Sequence, residues 1–295
     1  MLHHLTTEGV NESSQEIDRK SAGEIVRLIH QEDIKVAEAV GEVADAIAEA
    51  IDRIADAFRR GGRLIYLGAG TSGRLGVLDA SECPPTFNSD PRLVVGLIAG
   101  GRDALTRAIE GAEDDPEGAV ADLQAIGLTA ADLLVGIATS GRTPYVLGGL
   151  RFAREIGATT VGVVCNAPSE MDELVDIQIA PIPGPEIISG STRMKAGTAT
   201  KMVLNMLSTG AMIRFGKTYG NLMVDLRATN SKLVLRSRRI VTRLTGLTEE
   251  QAETLLNRAD GEVKTAIAMH HRNVDAGAAR ELLRLADGHL RKVIG

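Results

Sequence analysis

Residues Arg63-Leu-Ile-Tyr-Leu-Gly-Ala-Gly-Thr-Ser-Gly-Arg74 contain the clearest sequence signal for the fold of this chain. Its apolar run, Leu64–Leu67, is typical of a buried strand, and Gly68-Ala-Gly70 ends that strand in a turn. Thr71 and Ser72 then stand where a helix should begin. The first N–H groups of a helix have no partner within it, and the helix dipole is positive there. The stretch therefore predicts an anion site, such as a cradle for a phosphate group.

The same rhythm of strand, turn and helix continues through the middle of the chain. The apolar runs are rich in Val, Ile and Leu without strict alternation, which is typical of parallel strands covered on both faces. We therefore predict an α/β fold with a doubly wound, parallel five-stranded sheet that binds ligands at the carboxyl ends of its strands. The predicted strands are Leu64–Leu67, Leu93–Ile98, Leu133–Ala138, Thr160–Cys165 and Ile177–Ile182, and the predicted helices between them are Gly73–Ser81, Arg102–Glu110, Glu117–Ile126 and Pro144–Ile156.

Helical patterns flank this region on both sides. Ser21 and Glu24 form a predicted capping box, and a longer helix over about 34–60 follows, because apolar residues recur there at spacings of three and four. Its apolar face should pack on the sheet or on a second subunit. Thr248 and Gln251 form a second capping box before three short helices. We predict three segments: an N-terminal helical segment (1–60), a core domain (61–245) and a small C-terminal helical module (246–295). The core domain should end in two helices, from Lys195 to about Phe215 and from Ser231 to Leu244. The C-terminal module should contain helices near 249–258, 262–270 and 276–285.

Composition argues against several classes of function. Aromatic residues make up 2% of the chain, so stacking platforms for bases are not expected, and the net charge of −6 makes nucleic acid a poor partner. The two cysteines and six histidines show no metal-ligand spacing, so we expect no metal and no cofactor. Neither a signal peptide nor a membrane-spanning run is visible, which leads us to expect a cytoplasmic protein that does not bind membranes.

A second loop repeats the first. The strand Leu133–Ala138 is followed by Thr139-Ser-Gly-Arg-Thr143, with Pro144 suited to the first position of a helix. Ser, Thr and Gly are ordinary residues of helix caps and turns, so either loop alone could be only a cap. Two such loops at the ends of two parallel strands favour a phosphorylated small molecule. A dinucleotide fits less well, since Asp90, near the spacing expected of a ribose ligand, lies in a proline-rich turn.

Two acidic regions could supply acid–base chemistry. Glu82 falls near the end of the helix that begins at the first loop, and Pro84-Pro85 should stop that helix. A carboxylate at a helix C-terminus faces the negative end of the dipole, so its pKa should tend upward, which suits a general acid. Glu110–Glu117 places five carboxylates in eight residues, with Asp115 a predicted N-cap. Most glutamates are simply solvated, and the pattern alone does not choose among these.

From Gly62 to Phe87 the chain resembles the N-acetylmuramic acid 6-phosphate etherase family, above all at Ser81-Glu-Cys-Pro-Pro85. The likeness covers essentially the whole chain and includes Thr7, Asn11, Val94–Gly101, Glu110–Asp114, Thr139–Tyr145, Ser191–Thr198 and Asn221–Leu226. The resemblance implies a sugar isomerase (SIS) fold, which binds phosphosugars. Such proteins are usually homodimers with sites near the subunit interface.

The resemblance also implies a reaction and its residues. Members of the family cleave the D-lactyl ether at C3 of the sugar by elimination and rehydration, which gives N-acetylglucosamine 6-phosphate and D-lactate in cell-wall sugar recycling. Glu82 matches the acid that protonates the departing ether oxygen, and Glu113 matches the second catalytic glutamate, the candidate base at C2. By similarity to SIS domains, the phosphate and sugar ligands would be Thr71, Ser72, Thr139, Ser140 and Thr143, and the residues that close the site would be Ser191, Thr192 and Lys195.

Two other functions fit the same fold. Regulatory proteins that bind a phosphosugar without chemistry, such as the glucokinase regulator, are longer and carry a second SIS domain. An aldose–ketose isomerase would use the same phosphate loops but would need no acid beside C3. The presence of both Glu82 and Glu113 favours the etherase. The ligands of the lactyl carboxylate, the subunit packing and the role of the C-terminal helices do not follow from the sequence.

Overall fold

The computed structural model describes residues 6–226 and 231–295, and of residues 8, 231 and 232 the backbone only. Within these ranges the chain forms two compact units. The first contains the chain up to Ser81 and Pro91–Gly210, and the second contains Glu82–Asp90 and Ala211–Gly295. This division differs from the three predicted segments. The N-terminal helix Ala44–Arg59 packs on the sheet, and the helix Ser231–Thr245, which was predicted to be the last of the core domain, packs with the C-terminal helices.

A parallel sheet, with five strands in the described part of the chain, lies at the centre of the first unit. The strands follow the order β2-β1-β3-β4-β5, and every neighbouring pair is parallel. The order reverses direction between β1 and β3, which is where ligands bind in this class of fold. The predicted doubly wound sheet is confirmed. Its strands are β1 (Leu64–Gly68), β2 (Val94–Ile98), β3 (Leu133–Ile137), β4 (Thr159–Val163) and β5 (Ile177–Ile179).

Helices cover both faces of this sheet. Side chains such as Ile65, Leu67 and Leu134 point to one face, where two of the helices bury them. Successive side chains of a strand alternate between faces, and the opposite face receives the helix that carries the buried Ile54 and Phe58. The helices are α1 (Ala22–Gly41), α2 (Ala44–Arg59), α4 (Pro116–Ala125) and α5 (Pro144–Glu155), with α3 (Gly70–Phe87) and α6 (Lys195–Arg214) continuing into the second unit.

The boundary between the two N-terminal helices lies later in the chain than predicted. The capping box of Ser21 and Glu24 is confirmed, and α1 then continues to Gly41. The chain breaks at Glu42-Val43 before α2 begins. Glycine has a low helix propensity, which favours a break after Gly41. The apolar face of α2 packs on β1, β3 and β5 of the same chain, so it is intramolecular.

The prediction that Pro84 and Pro85 stop their helix was wrong, because α3 runs through both prolines to Phe87. The φ angle of proline, near −65°, is compatible with a helix. What proline lacks is the backbone N–H, so each proline leaves the carbonyl four residues earlier without its helical hydrogen bond. Those carbonyls belong to Ala80 and Ser81. Glu82 therefore lies inside the helix and not at its C-terminus.

The predicted helix Arg102–Glu110 was also wrong. The structure forms only a 3-10 turn, Gly101–Leu105, in this region. Gly100 and Gly101 adopt φ angles of 82° and 67°, and this left-handed backbone reverses the chain after β2.

The second unit consists of short helices around a core of its own, to which Ile267 and Leu290 contribute. The three predicted C-terminal helices and the capping box of Thr248 and Gln251 are confirmed. A small hairpin and a last helix were not predicted. No helix in the described part of the chain has the length and apolarity needed to cross a bilayer. The elements are β6 (Thr218–Tyr219), β7 (Leu222–Met223), α7 (Ser231–Thr245), α8 (Glu249–Arg258), α9 (Val263–Arg272), α10 (Ala276–Leu285) and α11 (Leu290–Ile294).

Candidate active site

The two hydroxyl-glycine loops begin side by side at the carboxyl edge of the sheet. β1 and β3 are neighbours, and the last pair of their ladder is Gly68 with Ile137. Neighbouring strands lie about 4.8 Å apart, so the loops that start at Ala69 and Ala138 leave the sheet next to each other. The strand order reverses at this point, and the topology thus creates a shared site for the two loops.

The first loop is compact because a glycine of the helix touches the end of the strand. α3 begins at Gly70, so Thr71 and Ser72 lie in its first turn, where backbone N–H groups have no partner within the helix. A Cβ atom added to Gly73 would lie 2.6 Å from the carbonyl oxygen of Gly68. Only a residue without a side chain lets the helix begin this close to β1. The side chains of Thr71 and Ser72 are half-buried.

The second loop is fixed to the neighbouring strand. The Thr139 carbonyl accepts hydrogen bonds from the Cys165 N–H at 3.0 Å and from Asn166 Nδ2 at 2.8 Å. Gly141, with a φ angle of 71°, turns the chain towards α5. Ser140 Oγ accepts a hydrogen bond from the backbone N–H of Arg142 at 3.3 Å. Thr139, Ser140 and Thr143, in the turn that leads into α5, all have half-buried side chains.

Helix ends, not arginines, supply the positive potential of these loops. α3 and α5 both begin at the carboxyl edge of the sheet, and each presents the positive end of its dipole there. Arg74 donates to the carbonyls of Leu105 and Arg107 at 3.1 and 3.0 Å, and Arg142 pairs with Glu170 at 3.4 Å. Both guanidinium groups therefore serve local structure, and an anion at this edge would meet N–H groups and hydroxyls.

A third segment approaches the first loop from α6. A Cβ atom added to Gly197, in the first turn of α6, would lie 3.6 Å from Thr71 Cγ2 and 3.4 Å from the Thr192 carbonyl. The start of α6 therefore packs beside the first loop. Ser191 and Thr192, just before α6, are half-buried. The structure thus brings the predicted ligands of all three segments to one region of the first unit.

Lys195 is the exception among the predicted ligands, since its side chain is only 1% exposed. Its Nζ atom lies 2.7 Å from Glu32 Oε2 and donates to the Pro185 carbonyl at 3.0 Å. This geometry does not support a direct contact with substrate. Sequence reasoning missed Glu32, because nothing in the local pattern links a residue of α1 to one that follows 163 positions later.

The amino end of α6 is closed by a carboxylate of the protein itself. Glu186 is fully buried and accepts the N–H groups of Lys195 and Ala196 at 2.9 and 3.0 Å. A negative side chain at this position complements the helix dipole. The amino end of α6 is therefore occupied by a carboxylate of the chain, whereas the N-cap residue of α5, Thr143, makes no side-chain hydrogen bond to its helix.

The two candidate catalytic glutamates are both exposed. Glu82 lies on α3, in the part that belongs to the second unit, and Glu113 lies in a 3-10 turn of the first unit, Ala112–Asp114. Asp115 is the N-cap of α4, as predicted, with its carboxylate 3.0 Å from the Gly118 N–H. Because α3 continues to Phe87, Glu82 does not lie at the negative end of the helix dipole, where the sequence had placed it.

One buried carboxyl group of α3 was not anticipated. Asp79 accepts hydrogen bonds from the Tyr66 hydroxyl at 2.9 Å and from Asn205 Nδ2 at 2.7 Å. Burial raises the pKa of Asp79, and these hydrogen bonds partly oppose the rise. These hydrogen bonds join β1, α3 and α6. Among residues 6–226 and 231–295, no group of three or more His, Cys, Asp or Glu side chains is arranged to hold a metal ion.

Comparison with known proteins gives close relatives along the full chain. It is 64% identical to the N-acetylmuramic acid 6-phosphate etherase of Rhodopirellula baltica over 293 residues, which cover 99% of this chain and 97% of the relative. It is 55% identical to the etherase of the same description from Caldanaerobacter subterraneus, over 99% of this chain and 96% of the relative.

The fold has wider similarities. Residues 46–154 match the N-terminal SIS domain of glucokinase regulatory protein, and residues 220–284 match the C-terminal lid domain of that protein. The solved phosphoheptose isomerase of Neisseria gonorrhoeae superposes with a TM-score of 0.51 at 17% identity, over 64% of this chain and 97% of that chain. This last likeness concerns the fold alone, and it agrees with the predicted SIS fold.

Proposed function

The chain belongs to the N-acetylmuramic acid 6-phosphate etherase family, and on that premise we propose that Glu82 and Glu113 are its catalytic acid and base. The protein is a carbon–oxygen lyase that converts N-acetylmuramic acid 6-phosphate to N-acetylglucosamine 6-phosphate and D-lactate. High identity over 99% of the chain favours this function over a regulatory phosphosugar-binding protein and over an aldose–ketose isomerase.

The 6-phosphate of the substrate binds at the carboxyl ends of β1 and β3. The observation that carries this proposal is the meeting of two hydroxyl-glycine loops and two helix N-termini at the point where the strand order reverses. The phosphate is a dianion near neutral pH, so it gains from free N–H groups and from both dipoles. Its proposed ligands are Thr71, Ser72, Thr139, Ser140 and Thr143, with Ser191 and Thr192 approaching from the start of α6.

The reaction proceeds by elimination and rehydration without a cofactor. Opening of the sugar ring makes C1 an aldehyde, which acidifies the proton at C2. Glu113 removes that proton, the C3–O bond breaks, and Glu82 protonates the departing lactate oxygen. Water then adds to C3 of the unsaturated aldehyde, and a proton returns to C2. Each transfer by a placed carboxyl group typically gives about 10²–10⁴-fold acceleration.

The working enzyme is a homodimer in which Glu82 of one copy serves the substrate bound by the other. Glu82 follows Thr71 by eleven residues on α3, and at about 1.5 Å per residue this separates them by roughly 16 Å along the helix axis. Only a few bonds link the phosphate to C3 of the sugar. This separation is longer than the span from the phosphate to C3 of the sugar, which favours Glu82 of the other copy as the acid.

The cellular setting follows from the same premise. A substrate derived from the cell wall places the enzyme in amino-sugar catabolism. We infer a cytoplasmic location, which suits the two cysteines, since Cys83 and Cys165 are both buried and neither forms a disulfide.

The test separates the two glutamates. Glu82→Gln should retain exchange of the C2 proton with deuterated water but lose D-lactate release, because the base remains and the acid is gone. Glu113→Gln should lose both exchange and release. Glu110→Gln, which changes an exposed glutamate in the same acidic run, is the matched control and should keep both activities. Normal lactate release by Glu82→Gln, or normal exchange by Glu113→Gln, would remove that residue from its role.

A further inference from the structure

The segment that carries Ser191 and Thr192 is a loop whose two ends are joined by buried polar contacts. The carboxylate of Glu186 accepts the N–H groups of Lys195 and Ala196 at 2.9 and 3.0 Å. The carbonyl of Pro185 accepts Lys195 Nζ at 3.0 Å. Residues 187–194 thus form a loop closed at its base, with Ser191 and Thr192 within it.

The base of this loop is tied in turn to the N-terminal helix through one charged group. Lys195 Nζ lies 2.7 Å from Glu32 Oε2 of α1, and the two residues are 1% and 4% exposed. Asn11 Nδ2 also donates to Glu32 at 3.1 Å and to the Pro185 carbonyl at 3.3 Å. A buried ion pair is costly to desolvate, so its presence beside a substrate loop calls for a reason other than stability.

We propose that Lys195 and Glu32 are positioning residues, whose buried ion pair holds the 187–194 loop so that Ser191 and Thr192 face the bound sugar phosphate. The inference rests on the substrate contacts of Ser191 and Thr192 made under the proposed function. It replaces the direct substrate contact that the sequence predicted for Lys195, because an ammonium group so deeply buried and already held by two acceptors has no free path to a ligand.

The contacts of the loop give the positioning role a physical route. A Cβ atom on Gly197 would lie 3.4 Å from the Thr192 carbonyl and 3.6 Å from Thr71 Cγ2. The first turn of α6 is therefore in contact both with this loop and with the first phosphate loop. A shift of Lys195, the first residue of α6, would move Thr192 relative to Thr71.

The central variant is Lys195→Met, which keeps the length of the side chain and removes its charge. We expect KM for N-acetylmuramic acid 6-phosphate to rise by about tenfold or more, the scale of one or two lost hydrogen bonds to a charged group. The kcat value should change much less, because neither catalytic glutamate is touched. Lys35→Met is the matched control: Lys35 also binds Glu32, at 2.5 Å, but is 58% exposed, and its loss should leave KM unchanged.

A coupling experiment distinguishes positioning from direct contact. The variant Ser191→Ala/Thr192→Val should raise KM by itself. Adding Lys195→Met to it should then cause little further rise, since the loop that Lys195 positions no longer offers hydroxyl groups. A full additional rise would show that Lys195 acts on the substrate independently, and it would overturn the inference. An unchanged KM for Lys195→Met alone would overturn it as well.

Two measurements keep these outcomes interpretable. If Lys195→Met folds poorly, the double variant Lys195→Met/Glu32→Met replaces the buried pair by apolar groups and leaves no charge uncompensated; it should fold and still show the raised KM. A normal KM in that folded double variant would contradict the inference. If Ser191→Ala/Thr192→Val leaves KM unchanged, the proposed substrate contacts of these two residues are wrong, and the positioning role is wrong with them. If Ser191→Ala/Thr192→Val raises KM but Lys195→Met does not, only the positioning role is rejected.

Discussion

Arg63 and Asp132 are joined by a two-bond fork at the amino-terminal edge of the sheet. Arg63 Nε donates to Asp132 Oδ1 at 3.0 Å, and Nη2 donates to Oδ2 at 2.8 Å. The same guanidinium group donates to the carbonyls of Ile126 and Gly127. The fork links the residues just before β1 and β3, while the two phosphate loops follow those strands at the opposite edge. The amino ends of β1 and β3 are therefore joined by this ion pair, which contributes to stability, and their carboxyl ends carry the loops proposed to bind substrate.

Arg63→Lys should lower the free energy of unfolding without changing catalysis. Lysine cannot form the planar fork or reach both carbonyls, so we expect a loss of about 1–3 kcal/mol. At about 3.3 Å per residue, the change lies roughly 20 Å from the loop that follows β1, and kcat and KM should stay within twofold of wild type. Urea unfolding and steady-state lactate release provide the two measurements. A large change in KM with normal stability would contradict this separation of roles.

Gly73→Ala should damage both stability and substrate binding. The added methyl group would lie 2.6 Å from the Gly68 carbonyl and 2.7 Å from Ile98 Cγ1, so the first turn of α3 must move away from β1. Overpacking of this kind costs about 1–3 kcal/mol, and the displaced Thr71 and Ser72 should raise KM. Both effects can be measured by thermal unfolding and by lactate release.

Gly41→Ala is the control for that variant. Gly41 ends α1, and a Cβ atom placed there meets no other atom within 4 Å. The same substitution should therefore be neutral or stabilising by up to about 1 kcal/mol. If both glycine variants behave alike, the close contact between β1 and α3 is not what fixes the first loop.

Glu32 should make the protein sensitive to acid. Burial by itself would raise the pKa of Glu32, but hydrogen bonds from Lys195, Lys35 and Asn11 outweigh it and lower the pKa to about 2. Because the pKa in the folded state lies below the usual value of 4.5, the stabilisation is present above about pH 4.5 and is lost as the pH falls towards 2. The lost part should be about 2–3 kcal/mol.

Urea unfolding at several pH values between 6 and 3 measures this dependence. Glu32→Gln should be less stable at pH 6 and should lose less of its stability on acidification than wild type. Glu38→Gln, an exposed change on the same helix, should follow the wild-type profile. Parallel curves for Glu32→Gln and wild type would show that another group governs the acid transition.

A shared site predicts that two inactive variants can restore each other. Glu82→Gln keeps the phosphate loops and loses the acid, whereas Thr71→Val/Ser72→Ala keeps the acid and loses hydroxyls of the first loop. If each substrate uses the loops of one copy and Glu82 of the other, mixed dimers formed after unfolding and refolding together contain one intact site. Equal mixing in a twofold-symmetric dimer should then recover about a quarter of wild-type activity.

The control for this experiment mixes each variant with itself. Those samples should remain inactive after the same treatment. The two variants carry different affinity tags, so that purification on both tags in turn isolates the mixed dimers. An inactive mixed dimer would place Glu82 and the phosphate loops of one chain in the same site and contradict the subunit arrangement proposed above.

The local features of the fold were readable from the sequence because they depend on neighbouring residues. Apolar runs predicted the five strands, the capping residues Ser21, Asp115 and Thr248 predicted where their helices begin, and the repeated Thr-Ser-Gly-Arg loops predicted an anion site. Two predictions made from local sequence signals were wrong, one for α3 and one for the segment after β2. Pro84 and Pro85 keep helical φ angles inside α3, and two glycines with positive φ replace a predicted helix after β2.

Contacts between residues that are distant in sequence became visible only in the folded chain. The parallel register of Gly68 with Ile137 places the two loops side by side, and the fold brings Glu32 to Lys195 across 163 positions. Such contacts are made by packing of whole elements, and no periodicity or spacing within either element encodes them. The hydroxyl, glycine and carboxylate residues of the candidate site could be identified from the sequence, because they lie in short local motifs. The tertiary structure decided that Lys195 serves an internal ion pair, because burial leaves an ammonium group no stable state without a partner.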